Sequence, residues 1–322
     1  MVHDHQHHAH PPHDEHDHED DAHGHGHAHA PKDFGRAFFF GVILNSGFVV
    51  AEVVYGILGN SVALLADAGH NLSDVLGLLL AWGASILARR MPSTRFTYGL
   101  RSTSILAALV NAVLLLVVTG GIAWEAVLRF RQPGDVEGMT VIVVAAFGVA
   151  INLGTALLFM AGRKSDLNVR AAFTHMAGDA AISLGVVIAG FAIIHTGWQW
   201  LDPAVSLVIS VLIVIGTWGL LRDSINLALH AVPEEIDADV VRRYLTSVDG
   251  VSEVHDLHIW GMSTTETALT VHLVMPAGYP GDAFRSAVCQ DLQKKFKIGH
   301  STIQIEVNDS GKPCELAPAE VV

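Results

Sequence analysis

The sequence predicts an α-helical membrane protein, in which a bundle of six transmembrane helices precedes a small α+β domain. The 322-residue chain is 51% hydrophobic and only 16% charged, whereas about a quarter of the residues of a soluble domain are charged. Six apolar runs follow one another before residue 230. After residue 230 the pattern changes to alternating short helices and strands, which is typical of a small soluble domain.

Residues 1–31 form a segment in which histidines are spaced by Asp, Glu, Gly, Ala and Pro. Such a segment has almost nothing to bury, so we expect it to be disordered. We interpret it as a loose metal-binding tail that raises the local ion concentration. The alternative is an expression tag. The irregular spacing of the acidic residues between the histidines argues against it.

The transmembrane domain is predicted over residues 32–230. Each of its apolar runs is close to the ~20 residues that a helix needs to cross a bilayer, and six such helices could not share one soluble core. The predicted spans are 36–58, 62–88, 103–128, 139–161, 168–195 and 203–222.

The distribution of Lys and Arg predicts the orientation of these spans, because cytoplasmic loops carry an excess of both. One side has only Arg129 and Arg131. The other side has Lys32, Arg36, Arg89, Arg90, Arg95, Arg101, Arg163, Lys164, Arg170 and Arg222. We therefore predict a multi-pass protein of the inner (cytoplasmic) membrane with both termini in the cytoplasm.

The C-terminal part is predicted to be a cytoplasmic domain over residues 231–309, followed by a loose tail over 310–322. Hydrophobic periodicity predicts helices and strands within it. The helices are 236–247 and 281–297, and the strands are 251–261, 266–275 and 301–307.

Several classes of function are excluded or disfavoured. The formal charge of −13 lies mainly at the two ends of the chain, and no basic patch with interleaved aromatic residues indicates a nucleic-acid partner. The spans contain no HExxH motif, which argues against a membrane metalloprotease. We predict that the protein is not an enzyme and needs no cofactor.

Two predicted spans each carry a His-x-x-x-Asp pair. His70 and Asp74 lie in the second span, and His175 and Asp179 lie in the fifth. Residues four apart share one helix face, and ionisable groups inside a membrane indicate function by default. If the two faces meet, two imidazole nitrogens and two carboxylate oxygens can surround one metal ion.

This ligand set suits Zn²⁺, with Co²⁺, Cd²⁺ and Ni²⁺ also acceptable. The two carboxylates would balance the charge of the dication. The alternative is that each pair is an intramembrane hydrogen bond that holds helices together, but two such pairs on separate spans favour a metal site.

Two further carboxyl groups lie in the spans. Glu52 in the first span needs a partner or a proton, and we interpret it as structural. Asp67 lies three residues before His70 on roughly the same face, where it could orient the ligands or line the access path.

Four segments of the sequence resemble the cation diffusion facilitator family, of the zinc-transporter type: GNSVALLADAGHNLSD (59–74), TYGLRSTSILAALVNA (97–112), DLNVRAAFTHMAGD (166–179) and WLDPAVSLVIS (200–210). The resemblance implies that His70, Asp74, His175 and Asp179 form the transport site. It also implies a homodimer, a ferredoxin-like cytoplasmic domain that dimerises and often binds metal, and exchange of metal for protons.

The resemblance places possible cytoplasmic metal ligands less firmly, at His255, His272, His300 and Glu306, with His258 and Cys314 as further candidates. Exposed histidines on a sheet are usually just solvated, and this alternative stays open. One family feature is missing. Tyr98 and Gly99 are followed by Leu-Arg-Ser-Thr-Ser, so we expect no metal site in the loop between the second and third spans.

The sequence as a whole predicts secondary active efflux of a divalent transition metal from the cytoplasm in exchange for protons. Zn²⁺ is the expected ion, and alternating access around the intramembrane site is the expected mechanism. The alternative is a membrane-anchored metal sensor or storage protein, in which the tail and the cytoplasmic domain bind metal while the helices only anchor it.

Overall fold

The computed structural model describes residues 36–132, 134–160, 167–307 and 314–318. The histidine-rich segment 1–31, and therefore its interpretation as a metal-binding tail, lies outside the described residues. Six long helices make up the first part of the chain: α1 (Arg36–Leu58), α2 (Val62–Ala88), α3 (Thr103–Arg131), α4 (Gly138–Phe159), α5 (Leu167–Thr196) and α6 (Leu201–Ala228).

Within the part of the chain whose side chains are described, α2 to α6 are long and apolar enough to cross a membrane, and the described part of α1 adds the apolar stretch Asn45–Leu58. The predicted spans match the observed helices to within a few residues, except at the end of α6. There the apolar run ends near Arg222, but the helix continues to Ala228 because its last turns pack against the C-terminal domain, where Leu227 lies close to Gly261.

Small residues let α4 and α5 approach closely, as is common for membrane helices. A Cβ atom on Gly190 would lie 2.8 Å from Cγ1 of Ile142 and 3.3 Å from the carbonyl oxygen of Gly138. Larger side chains at this crossing would push α5 away from the bundle.

The first turn of α2 is fixed by the first turn of α6. The carboxylate of Asp202 accepts hydrogen bonds from the backbone N–H groups of Val62 and Ala63, at 2.7 and 3.3 Å, and from the hydroxyl of Ser61. Ser61 in turn caps α2 by accepting a hydrogen bond from the N–H of Leu64. Helix N-termini leave such donors unpaired and favour negative charge, so Asp202 positions the helix that carries His70.

The C-terminal domain contains a three-stranded sheet and two helices: α7 (Ala238–Thr246), β1 (Glu253–Gly261), β2 (Thr267–Val274), α8 (Asp282–Phe296) and β3 (Ile298–Glu306). The strand order is β1-β2-β3, with β1 antiparallel and β3 parallel to β2. The third strand begins three residues earlier than predicted. The fold class predicted from the sequence, a helical membrane domain with a small α+β domain, is confirmed.

One face of this sheet carries the core, which includes Leu245, Leu269 and Leu292. Side chains alternate between the faces of a strand. His272 therefore lies on the opposite face from its neighbours Val271 and Leu273, both of which belong to the core.

Candidate metal sites

The four intramembrane residues selected from the sequence come together where α2 faces α5. Nε2 of His70 lies 3.1 Å from Oδ1 of Asp179, and Nε2 of His175 lies 3.3 Å from Oδ2 of Asp74. Each histidine thus pairs with the aspartate of the other helix. Within each helix the i, i+4 distances are longer, at 4.0 Å for His70–Asp74 and 3.6 Å for His175–Asp179.

The arrangement is compact enough for one ion. Ligand atoms of His70, Asp74 and Asp179 all lie within 4.8 Å of one another, and the imidazole of His175 contacts both carboxylates. The Asp179 side chain is 5% exposed and that of His175 is 45% exposed. The site is therefore closed on one side and open on the other.

Next to these ligands lies a second group of buried polar side chains. Asn71 donates a hydrogen bond to Oε2 of Glu52 at 2.9 Å, and Ser183 donates one to Oδ2 of Asp67, also at 2.9 Å. Both carboxyl groups are completely buried. Asp67 thus contacts α5 beside the four ligands. No local sequence pattern indicates the roles of Asn71 and Ser183.

A second cluster lies on the face of the C-terminal sheet opposite the core, where His255 and His272 are themselves buried. His255 and His272 are directly opposed across β1 and β2, with ring centroids 5.3 Å apart. Glu306 on β3 bridges them, with Oε2 3.3 Å from Nε2 of His255 and Oε1 3.0 Å from Nδ1 of His272.

The tail beyond β3 adds a thiol to this cluster. Sγ of Cys314 lies 3.8 Å from Nδ1 of His272, and ligand atoms of His255, His272, Glu306 and Cys314 all lie within 4.8 Å of one another. Two nitrogens, one oxygen and one sulfur are a donor set that Zn²⁺ accepts.

The electrostatics of Glu306 suit a cation. Partial burial by itself raises the pKa of this carboxyl group, but hydrogen bonds from Cys314 and Gln304, together with the nearby His255 and His272, outweigh it and hold the pKa below its ordinary value. Glu306 is therefore ionised at neutral pH and is ready to bind a metal.

Asp256 was missed by the sequence analysis because it depends on a β-bulge. The register of β1 against β2 shifts between His255 and His258, and Asp256 has a positive φ of 49°. A bulge re-aims side chains. Here it turns the Asp256 carboxylate toward His272, at 3.4 Å from Nε2, and toward His258, at 2.8 Å.

The structure does not bring His300 into this cluster. His300 lies six residues before Glu306 on the same strand, which is about 20 Å along an extended chain. Its ring instead packs edge-on against Tyr98, with centroids 5.6 Å apart. His258 binds Asp256 and also lies outside the group of four ligands.

The loop after Tyr98 and Gly99 contacts the C-terminal domain. Arg101 forms an ion pair with Glu266 of the C-terminal domain. Among the described residues, the only groups of three or more potential metal ligands are the intramembrane and C-terminal clusters.

Comparisons with known proteins agree with this architecture. The family description "Cation efflux transmembrane domain" matches residues 38–227, and "Cation efflux protein, cytoplasmic domain" matches residues 233–308. "Zinc transporter ZitB" of Escherichia coli (strain K12) is 40% identical over 280 residues, which cover 86% of this chain and 88% of the relative.

Two further relatives carry names that are not limited to zinc. "Metal cation efflux system protein CzcD" of Cupriavidus metallidurans is 37% identical over 285 residues, or 88% of this chain and 89% of the relative. "Cadmium, cobalt and zinc/H(+)-K(+) antiporter" of Bacillus subtilis is 33% identical over 273 residues, or 82% and 86%. The chain belongs to the cation diffusion facilitator family of multi-pass membrane metal transporters, and within it to the zinc-transporter type.

Proposed function

We propose that this protein exports Zn²⁺ from the cytoplasm in exchange for protons, as a secondary active transporter of the inner membrane with both termini in the cytoplasm. The observation that carries this proposal is the convergence of His70, Asp74, His175 and Asp179 on one point between α2 and α5. No single helix holds the complete ligand set, so a relative movement of α2 and α5 would make or break the site.

Zn²⁺ is the ion that this site fits best. Two imidazoles and two carboxylates favour tetrahedral coordination, whereas Mg²⁺ prefers six oxygens. Co²⁺, Cd²⁺ and Ni²⁺ tolerate the same donors, and cadmium and cobalt appear in the name of one relative. We therefore propose Zn²⁺ as the main substrate and these three ions as competitors.

Proton exchange follows from the chemistry of the ligands. Imidazole and carboxylate groups bind either a metal ion or a proton, so that metal binding releases protons. Unperturbed imidazole titrates near neutral pH. A site that opens to the more acidic side therefore loses its metal to protons, and a site that opens to the cytoplasm takes up metal.

The C-terminal cluster supports a second metal site with a regulatory role. This cluster lies far along the chain from the transport residues. Its ligands are His255, His272 and Glu306 from the sheet and Cys314 from the C-terminal tail. We propose that metal binding there reports the cytoplasmic metal concentration, and that this domain also holds together a homodimer. The same cluster is the observation that favours the rival function, a membrane-anchored metal sensor or storage protein.

Uptake of Zn²⁺ into proteoliposomes, with a pH-sensitive dye in the lumen, tests the proposal. The wild-type protein should accumulate Zn²⁺ and move protons in the opposite direction. His175→Ala and Asp179→Ala should abolish uptake, whereas the control His195→Ala, at the far end of the same helix, should preserve it. Unchanged uptake by the two site variants would defeat the assignment.

A second measurement in the same vesicles separates the rivals. A sensor or storage protein should show no uptake, and its metal binding should depend on the histidine-rich segment 1–31 and on the C-terminal domain. A transporter should retain most of its uptake after deletion of residues 1–31. It should also retain some uptake after His272→Ala, because neither change touches the intramembrane ligands.

A further inference from the structure

Two carboxyl groups meet beside the proposed transport site without taking part in it. Glu52 of α1 and Asp67 of α2 are completely buried and lie within hydrogen-bonding range of each other. Asp67 lies one turn before His70 on α2, and its partner Ser183 lies one turn after Asp179 on α5. The acid pair Glu52–Asp67 therefore lies one helical turn from the metal ligands, toward the end where α1 passes into α2.

The described stretches of α1, α2, α4 and α5 around this acid pair contain no Lys or Arg that could balance two carboxylates. The sequence has no Lys or Arg at residues 45–88, 138–160 or 173–196, and residues 138–160 of α4 have no titratable side chain at all. The charged groups that act on the acid pair are His70 on α2 and Asp179 on α5, and both are proposed metal ligands.

The hydrogen bonds around the acid pair are also incomplete. Asn71 and Ser183 donate one hydrogen bond to each carboxyl group, but Oε1 of Glu52 and Oδ1 of Asp67 receive none from the described residues. Two carboxylates in contact inside a membrane cannot both stay ionised without a cation. A proton held between them satisfies both the charge balance and the contact.

We propose that the acid pair Glu52–Asp67 is a second cation-binding site, which holds one of the protons exchanged for Zn²⁺. This inference rests on the proposed function and adds a second group to the exchange. Binding of a dication about one helical turn away, ~5 Å along the axis, stabilises the doubly ionised pair. The O–H bond then breaks, its electrons stay on the carboxylate oxygen, and the proton passes to water. When the metal leaves, the pair takes up a proton from water again.

The number of protons released per Zn²⁺ bound tests this inference. It is obtained by calorimetry of the purified full chain in buffers with different heats of ionisation. Glu52→Gln and Asp67→Asn should still bind Zn²⁺ at the four ligands but should release about one proton fewer than the wild type. Glu52→Asp keeps the carboxyl group and should restore most of that release.

Folded variants that bind Zn²⁺ and release as many protons as the wild type would overturn the inference. If neither variant folds, infrared spectra of the wild type decide. Zn²⁺ should reduce the absorption of protonated carboxyl groups, and an absorption that Zn²⁺ leaves unchanged would also overturn it. The proposed function fails on a different result, the absence of Zn²⁺ uptake by wild-type vesicles.

Discussion

Arg101 and Glu266 join the two domains of the chain, with Nη1 of the guanidinium 2.8 Å from Oε1 of the carboxylate. Arg101 lies just before α3, and Glu266 lies in the turn between β1 and β2. Two hydrogen bonds of 3.1 Å flank the ion pair, from the Ser102 hydroxyl to the Met262 carbonyl oxygen and from the Thr264 N–H to the Ser104 hydroxyl. The start of α3 and this turn therefore form one continuous contact.

Reversal of the charge at either end of this ion pair should slow transport. Both side chains are partly exposed, so the pair contributes only about 1 kcal/mol or less to stability, and the single variants should fold. Arg101→Glu and Glu266→Arg should each reduce the rate of Zn²⁺ uptake, because like charges separate the domains. The double variant should regain much of the rate, and a double variant as slow as the singles would contradict the coupling.

The helices and the intramembrane ligands could be predicted from the sequence because they depend on short-range patterns. Hydrophobic length predicts a span, and spacing of four residues puts His70 and Asp74 on one face whatever the rest of the fold does. The meeting of α2 with α5 was not predictable by this route, since it depends on packing between helices far apart in the chain.

The C-terminal cluster was predicted only in part because it depends on register. His255, His272 and Glu306 come together through strand pairing, and a single bulge decides that Asp256 points toward His272. The register also places His300 too far along β3. Asp202 was likewise overlooked, because its partners in α2 lie about 140 residues away and no local pattern reveals them.

Asp202→Ala should destabilise the protein. The change removes the acceptor for Ser61 and for the N–H groups of Val62 and Ala63, and each buried donor left unpaired costs about 1–3 kcal/mol. The melting temperature in detergent should fall by several degrees. Asp249→Ala, at an exposed position, is the matched control. An equal melting temperature for both variants would argue against this role of Asp202.

Tyr244 should titrate at unusually high pH. Burial, and then the hydrogen bond to the Asp291 carboxylate at 2.9 Å, raise its pKa from 10.0 to about 12. The tyrosinate absorbance that is lost in Tyr244→Phe should show this midpoint. Asp291→Asn should lower it, because the amide removes the negative charge beside the hydroxyl. A midpoint near 10.0 in the wild type would contradict the contact.

The same shift of the Tyr244 pKa makes stability depend on pH. Between pH 10.0 and about 12 the folded state holds a proton that the unfolded state has lost, so the free energy of unfolding falls as the pH rises. The contribution is fully present below pH 10.0. Because the hydroxyl is partly exposed, we expect a loss of only about 1 kcal/mol. Denaturant titrations of the wild type and Tyr244→Phe should diverge below pH 10.0 and converge near pH 12.

Co²⁺ binding should reveal whether Cys314 is a metal ligand. A thiolate bound to Co²⁺ gives a charge-transfer absorption that imidazole and carboxylate ligands do not give, and the four intramembrane residues contain no sulfur. Cys314→Ser should therefore remove this absorption. Cys289→Ser provides the matched control, since Cys289 is the other free cysteine and lies on α8, outside the cluster. Loss of the absorption in Cys289→Ser alone would place the metal elsewhere. Loss of this charge-transfer absorption in both Cys314→Ser and His272→Ala would show that the C-terminal tail closes over the sheet to bind the ion.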